Sequence, residues 1–240
     1  MDFLLVHGAW HDGSCWDAIA ETLRAAGHRV LAPTLAGHGP QAGAAVTHAD
    51  CVRSVTDAAQ QAGGDDWVLV GHSFGGTVIQ KAAETLHGRL RRLVFVNAFV
   101  LQDGESLMDT LPADYARVFE VSARQRGDGT VMLPFEVFRD VFIGDADLDT
   151  ARRVYDGLRP MSAGLMSERL ELRRFWRLRT PRSYLNCTED VAFPHHAGGW
   201  HPGQSSRLGV FRLVQTPGSH ESLYTRPREL ADALVRAGRD

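Results

Sequence analysis

Hydrophobic and polar positions follow two alternating patterns along most of the chain. Short apolar runs of strand length are followed by stretches in which apolar residues recur with helical spacing. The runs that predict strands are residues 3–7, 29–33, 67–71, 91–100, 182–188 and part of 207–217. The stretches that predict helices are residues 15–28, 47–63, with Thr47 as N-cap and Gly63 as stop, 76–86 and 226–238. This alternation is typical of βαβ units, and it predicts an α/β fold with a parallel sheet covered on both faces.

The alternation stops in the middle of the chain. Between residues 102 and 180, segments 105–121 and 148–158 have helical patterns, and Asp128-Gly129 predicts a turn. We therefore expect a core formed by residues 1–101 and 181–240. Residues 102–180 are expected to be a mainly helical cap inserted into that core and lying over the sheet.

The composition suits one globular domain without a charged partner. The 240 residues are 44% hydrophobic, and the formal net charge is −3, from 26 basic and 29 acidic residues. This balance gives no attraction to nucleic acid or to an anionic membrane surface. No apolar stretch approaches the ~20 residues of a membrane span, and residues 1–10 resemble a core strand rather than a signal peptide. The cysteines (Cys15, Cys51 and Cys187) form no CxxC pair, so we expect reduced thiols in a cytoplasmic protein.

The motif Gly71-His72-Ser73-Phe74-Gly75 lies between a predicted strand and a predicted helix. A G-x-S-x-G motif in that position is a nucleophile elbow, in which a sharp turn exposes the serine hydroxyl above the sheet edge. The helix N-terminus that follows favours a developing negative charge. We predict that Ser73 is a catalytic nucleophile; the alternative is a tight turn with an incidental serine.

A serine nucleophile needs a base, and the base needs an orienting carboxylate. The chain supplies both after Ser73: Glu189 and Asp190 follow a strand, and His220 lies between the last strand and the last helix. Open α/β sheets build their sites at the carboxyl ends of the strands. We predict that His220 is the base, with Glu189 or Asp190 as its acid; the alternative is a surface histidine.

The segment His7–Trp10 directly follows the first strand. Its small residues would let backbone N–H groups approach a substrate oxygen. We predict an oxyanion hole formed by the N–H groups of Ala9 and Phe74. The alternative is a simple turn between strand and helix.

The remaining histidines receive structural interpretations. His72 is expected to pack beside the serine, and His7 and His11 to shape the loop after the first strand. The histidines at 195, 196 and 201 have no acidic or cysteine residues at metal-ligand spacing, so a surface loop is favoured over a metal site. No cofactor or metal is expected.

Four segments of the chain together resemble a known family. They are LLVHGAWHDGSCWDAIAETLRAAGHRVLAPTLAGHG, VLVGHSFGG, VFVNAF and YLNCTEDVAFP. They are similar to the α/β-hydrolase superfamily, and more narrowly to the branch of plant methylesterases, hydroxynitrile lyases and related bacterial esterases. The resemblance implies that Ser73 is the nucleophile, His220 the base and Asp190, rather than Glu189, the acid. It also implies the oxyanion donors Ala9 and Phe74. The sequence departs from larger relatives in starting at the oxyanion strand, without their two antiparallel leading strands. We therefore expect a mostly parallel sheet of roughly six strands flanked by helices.

Two positions depart from the lyases of that branch. Those enzymes carry a threonine and a lysine where this chain has Gly8 and Glu221. A lyase needs a cation to stabilise leaving cyanide, and Glu221 has the opposite charge. Cyanohydrin cleavage is therefore disfavoured.

The sequence thus predicts a serine hydrolase that cleaves a carboxylic ester or lactone of a small to medium lipophilic substrate. Large apolar residues of the expected cap would contribute to the pocket, and the residues that we expect there are Trp10, Phe138, Phe142 and Met161. A monomer or homodimer is expected. Three alternatives use the same triad for acyl transfer, lyase action or cofactor-independent oxygenation, and another is a non-catalytic small-molecule receptor.

Overall fold

Six strands lie side by side in one sheet, and every neighbouring pair of them runs parallel. The computed structural model describes residues 1–43 and 45–240. In these residues the strands are β1 (Asp2–Val6), β2 (Arg29–Leu31), β3 (Trp67–His72), β4 (Leu90–Val96), β5 (Thr130–Val131), β6 (Met161–Ser162), β7 (Arg182–Cys187) and β8 (Arg212–Thr216). The sheet has the order β2-β1-β3-β4-β7-β8, and β5 and β6 form a separate antiparallel pair. The predicted α/β fold with a sheet of about six strands is confirmed.

The helices connect the strands and close the chain. They are α1 (Asp17–Ala25), α2 (His48–Ala62), α3 (Gly75–Leu86), α4 (Ala113–Arg126), α5 (Phe135–Val137), α6 (Leu148–Gly157), α7 (Gly164–Ser167), α8 (Ser222–Thr225) and α9 (Pro227–Gly238). A π-helical turn (Phe138–Phe142) continues α5. Thr47 caps α2 through a reciprocal pair of hydrogen bonds with Asp50, and Gly63 ends the helix with a φ of +66°. Both of these helix boundaries match the sequence prediction.

Each face of the sheet is covered by a different hydrophobic cluster. Leu4 and Leu69 belong to a cluster that includes side chains of α2 and α3, while Phe3 and Leu5 belong to one that includes side chains of α1 and α9. Alternate residues of a strand point to opposite faces of its sheet. Both faces of the central strands are therefore buried, which explains their nearly continuous apolar sequences.

The segment of residues 102–180 contains the helices α4 to α7 and the β5–β6 pair. The predicted helix over residues 105–121 begins only at Ala113 in the structure, where Pro112 is the N-cap. Proline restricts the preceding residue to extended conformations, and Leu111 has φ −84° and ψ 141°. The sequence analysis did not predict the two-residue strands β5 and β6, because they are too short to show the alternation of apolar and polar residues that marks a strand.

Strand β4 is shorter than the predicted strand 91–100. It ends at Val96, and the next residue, Asn97, has a φ of +35°. This left-handed conformation breaks the extended chain and turns it across the carboxyl edge of the sheet. Over the part of the chain that the structure describes, no helix combines the length and the hydropathy that crossing a membrane requires.

Candidate active site

Ser73 occupies the sharp turn between β3 and α3. Its φ is +52°, a region that residues other than glycine rarely adopt and that costs about 1–3 kcal/mol. The turn is held from the neighbouring strand, because the Ser73 N–H donates to the carbonyl of Val96 at 3.2 Å and its carbonyl accepts from the N–H of Phe99 at 3.2 Å. The hydroxyl group therefore lies at the carboxyl edge of the sheet, next to the end of β4.

The glycines that follow Ser73 permit a close approach of α3 to the rest of the core. A Cβ atom on Gly75 would lie 2.7 Å from the carbonyl oxygens of Val6 and His7. A Cβ atom on Gly76 would lie 2.4 Å from the carbonyl oxygen of Phe99. No side chain fits at either position without moving the backbone.

The loop after β1 lies directly against Ser73. A Cβ atom on Gly8 would be 3.0 Å from the Cβ of Ser73, and Ala9 and Phe74 line the same cavity as Ser73. Within residues 1–43 and 45–240, no acceptor pairs with the backbone N–H of Ala9 or of Phe74. Two unpaired donors beside a serine hydroxyl can stabilise an oxyanion that forms on a bound carbonyl group.

His220 and Asp190 form a buried pair at the same edge of the sheet. The Nδ1 of His220 lies 2.6 Å from the Oδ2 of Asp190, and both side chains are almost fully buried. The other carboxylate oxygen of Asp190 accepts the N–H of Ala192 at 2.8 Å. Glu189 is 48% exposed and lies 3.8 Å from Arg226. Of the two adjacent acidic residues, Asp190 is the one that contacts the histidine.

Asn97 is a site residue that the sequence analysis did not single out. Its Nδ2 donates to the Oδ2 of Asp190 and to the carbonyl of Cys187, and its Oδ1 accepts the N–H of Cys187 at 2.8 Å. It thereby fixes the carboxylate from the end of β4. A polar residue that ends an apolar strand, as in VFVNAF, is the signal that could have identified it.

The imidazole of His220 is enclosed by aromatic rings. Trp200 stacks on it with a centroid distance of 5.2 Å, Phe142 meets it edge-on at 5.2 Å, and His72 lies at 4.5 Å. The Nε2 of His72 lies 3.1 Å from the His220 carbonyl. Burial, and then the charge of His220, lower the pKa of His72, which keeps it neutral. His72 thus supports the backbone of His220. Trp200 belongs to the segment with histidines 195, 196 and 201, which the sequence analysis interpreted as a surface loop.

A cavity of about 240 Å³ opens beside Ser73. Trp10, Phe142 and Met161 line it, and none of the described lining residues carries a charge. The structure places Phe138 elsewhere. It is fully buried because it packs in the core between Phe142 and Tyr155, with ring centroids 6.1 Å and 5.6 Å away.

Two histidines hold the loop after β1. The Nε2 of His7 accepts the N–H of Leu35 at 3.0 Å, so its Nδ1 carries the proton and donates to the carbonyl of Gly8 at 2.8 Å. Burial, then the charge of a neighbouring histidine, lowers the pKa of His7. The Nδ1 of His11 lies 2.7 Å from the carbonyl oxygen of Ala9. Both contacts agree with the loop-shaping role inferred from the sequence.

The histidines at 195, 196 and 201 make none of the contacts that hold the loop after β1. His195 and His196 are exposed, and the Nδ1 of His201 lies 2.6 Å from the hydroxyl of Ser205. Among the residues placed by the structure, no three histidine, cysteine, aspartate or glutamate side chains form a group suited to a metal ion.

Comparison with protein families and solved structures gives a consistent result. Residues 3–233 match the model of the alpha/beta hydrolase family. A carbendazim hydrolyzing esterase of Nocardioides sp. (strain SG-4G) is 32% identical, and the alignment covers 99% of this chain and 99% of that protein. A pyrethroid hydrolase of Sphingobium wenxiniae is 29% identical, over 98% of this chain and 86% of that protein.

A solved structure matches over the full length of both chains. It is an extracellular alpha/beta-hydrolase from a Paenibacillus species, described as sharing structural and functional homology with tobacco salicylic acid binding protein 2. The sequence identity is 41%, the TM-score is 0.97, and the superposition covers 100% of each chain.

Proposed function

We propose that this chain, which belongs to the alpha/beta hydrolase family, cleaves esters or lactones with a Ser73–His220–Asp190 triad. Within the family it belongs to the methylesterase-like branch, and it is a carboxylesterase-type hydrolase. All three side chains of the triad are buried and follow strands at the carboxyl edge of the sheet, Ser73 after β3, His220 after β8 and Asp190 after β7. The observation that carries it is the buried contact of 2.6 Å between His220 and Asp190, combined with the strained turn at Ser73.

The proposed mechanism proceeds through an acyl-enzyme. His220 accepts the proton of Ser73 while the serine oxygen attacks the substrate carbonyl. The N–H groups of Ala9 and Phe74 hold the oxyanion, and one such donor is typically worth about 3 kcal/mol of barrier. Asp190 orients His220 and stabilises its imidazolium form. His220 then protonates the leaving alcohol, and water attacks the acyl-enzyme to release the acid.

The cavity supports a neutral, lipophilic substrate of small to medium size. Its described lining is apolar apart from a few groups such as the hydroxyl of Ser73. A charged substrate group would lose its hydration there without gaining a partner. Two of the relatives are named for hydrolysing carbendazim and pyrethroids, and we propose a lipophilic ester or lactone here.

We also propose that residues 102–180 act as a cap over the site. Met161 and Phe142 of this segment line the cavity, and Arg159 donates from its N–H to the carbonyl of Trp10 at 2.9 Å. The Nε1 of Trp10 donates in turn to the carbonyl of Val131 at 3.0 Å. These contacts connect the segment to the loop that holds the proposed oxyanion donor.

Product analysis tests the reaction class. Purified protein is incubated with a neutral ester in water enriched in ¹⁸O, and the products are identified by mass spectrometry. Hydrolysis predicts equal amounts of acid and alcohol, with ¹⁸O in the acid. Transfer of the acyl group to an added alcohol without release of acid would favour an acyltransferase, and binding without any product would favour a receptor.

The cellular location is a separate proposal. The three cysteines are free and buried, which suits a reducing compartment, and we propose a cytoplasmic protein. The solved relative from Paenibacillus is described as extracellular. Esterase activity measured in washed cells and in culture medium of the source organism distinguishes the two locations.

A further inference from the structure

Glu221 is a buried carboxylate immediately after the proposed base, and the mechanism above does not use it. Its side chain is 1% exposed, and its backbone N–H donates to the carbonyl of Phe142 at 3.1 Å. Burying an unpaired carboxylate is costly, so buried charges in folded proteins have partners. The partner of Glu221 therefore indicates what the residue does.

That partner is His11, whose ring touches two acceptors at once. Its Nε2 lies 3.2 Å from the Oε2 of Glu221, and its Nδ1 lies 2.7 Å from the carbonyl oxygen of Ala9. A carbonyl oxygen and an ionised carboxylate can only accept. The Nδ1 of His11 therefore carries the proton that it donates to the Ala9 carbonyl. The contact between Nε2 and Oε2 is at ion-pair distance but lacks hydrogen-bond geometry. A buried carboxylate at 3.2 Å favours the protonated ring, so the two side chains form an ion pair.

The electrostatics of the pair agree with this geometry. Burial lowers the pKa of His11, but the charge and contact of Glu221, followed by the Ala9 carbonyl and Asp12, raise it by more. Burial raises the pKa of Glu221, but His11 lowers it to about 2, with smaller contributions from neighbouring histidines. Each member is held in its charged form by the other.

We propose that His11 and Glu221 are positioning residues, whose ion pair fixes the loop bearing the oxyanion donor Ala9 against the loop bearing the base His220. The inference rests on the proposed function, because it assumes the roles given there to Ala9 and His220. It adds that their separation is set by a direct contact between the two loops.

The sheet order explains why such a contact is needed. The loop with His11 follows β1 and the loop with Glu221 follows β8, and strands β3, β4 and β7 lie between them. No ladder of backbone hydrogen bonds joins β1 directly to β8. A shift of about 1 Å in a catalytic group can lower the rate about 100-fold. The ion pair connects the two loops where the backbone does not.

Several other titratable groups surround the His11–Glu221 pair. They are His7, Asp12, Cys15, Asp17, His38, His72, His220 and Tyr224. Tyr224 stacks on His11 with a centroid distance of 5.9 Å. Burial raises the pKa of Cys15 and of Tyr224, so both are neutral and do not compete for either charge.

The test is a double-mutant cycle on the full-length protein. The variants are Glu221→Gln, His11→Gln and the double variant, with Glu221→Asp as the charge-retaining control. The readouts are kcat and KM for 4-nitrophenyl acetate and the rate of labelling by a fluorophosphonate. We expect each single variant to lose 10-fold to 100-fold in kcat and in labelling rate, with KM changed less than about threefold. Glu221→Asp should recover part of the loss.

The double variant keeps the test decisive. It contains no unpaired buried charge, so it should fold even if a single variant does not, which circular dichroism checks. Its loss in kcat should be smaller than the product of the two single losses. Wild-type kcat in the folded single or double variants would overturn the inference, since a merely structural pair changes the melting temperature but not the kcat of folded protein. A double-variant loss equal to the product of the two single losses would also overturn it.

Ser73→Ala separates this failure from failure of the proposed function. If Ser73→Ala retains turnover and labelling, the proposed function itself is wrong. If Ser73→Ala loses both while Glu221→Gln keeps wild-type values, only the positioning role is wrong.

Discussion

Asn97 donates a hydrogen bond to the Oδ2 of Asp190, the same oxygen that contacts the Nδ1 of His220. Asn97 directly follows β4, and Asp190 follows β7, which is the neighbour of β4 in the sheet. The left-handed backbone of Asn97, with φ at +35°, aims the amide along the edge of the sheet. The proposed acid is thus held by the residue that follows the adjacent strand.

Asn97→Ala should lower kcat about 10-fold and leave KM nearly unchanged, because the carboxylate loses a donor that orients it. The backbone N–H of Cys187 would also lose its acceptor, which costs about 1–3 kcal/mol of stability. Steady-state kinetics and thermal melts measure the two effects separately. In an Asp190→Ala background the same substitution should cause no further loss of kcat; an undiminished loss there would show that Asn97 does not act through Asp190.

Asp190→Asn and Glu189→Gln form a matched pair of neighbouring substitutions. Asp190→Asn should lower kcat by about 10³–10⁴-fold, because an amide cannot stabilise the imidazolium and favours the wrong tautomer. Glu189→Gln should stay within about twofold of wild type, since an exposed contact at 3.8 Å contributes little. Equal losses in the two variants would contradict the choice of Asp190.

The sequence was sufficient for the parts of the site that have a local signal. Ser73 lies in a motif that combines a strand end, small residues and a helix start, and Asp190 and His220 follow strands in the expected order. The resemblance, rather than spacing, was what favoured Asp190 over Glu189. The sheet followed from the repeated change of hydrophobic period.

The remaining features depend on contacts between segments that are distant in the chain. Trp200 stacks on His220 from a loop with no regular pattern, and His11 meets Glu221 across 210 positions of sequence. Phe138 and Phe142 look alike in sequence, but Phe138 packs in the core against Tyr155 while Phe142 lines the cavity. Tertiary packing, which no short pattern encodes, determines these assignments.

The substitutions Phe142→Ala and Phe138→Leu should distinguish a residue that lines the cavity from a residue of the core behind it. Phe142→Ala enlarges the cavity and removes a ring beside His220, so it should shift preference towards longer acyl chains and lower kcat. Phe138→Leu should lower the free energy of unfolding by about 1–2 kcal/mol and leave the chain-length preference unchanged. A series of 4-nitrophenyl esters and urea unfolding measure these outcomes; a changed preference in Phe138→Leu would contradict the assignment.

The His11–Glu221 pair should stabilise the fold most between about pH 4.5 and 6.5. The pKa of Glu221 falls from 4.5 to about 2 on folding, so its contribution is lost as the pH drops from about 4.5 towards 2. The pKa of His11 rises on folding, so its contribution is present below 6.5 and is lost as the pH rises through the folded-state value.

Urea unfolding at pH 3, 5.5 and 9 checks this window. The free energy of unfolding of wild type minus that of the double variant His11→Gln/Glu221→Gln is the quantity compared. It should be about 1–3 kcal/mol larger at pH 5.5 than at pH 3 or pH 9. A difference that does not vary with pH would show that the pair is not charged in the folded protein.

An activated serine at position 73 is the central claim, and covalent labelling tests it without knowledge of the substrate. The protein is treated with a fluorophosphonate, and the intact mass and the labelled peptide are measured for wild type, Ser73→Ala and His220→Ala. We predict one adduct per chain, on Ser73, absent in Ser73→Ala and slowed by several orders of magnitude in His220→Ala. A folded wild-type protein without the adduct, or with the adduct on another residue, would contradict the account.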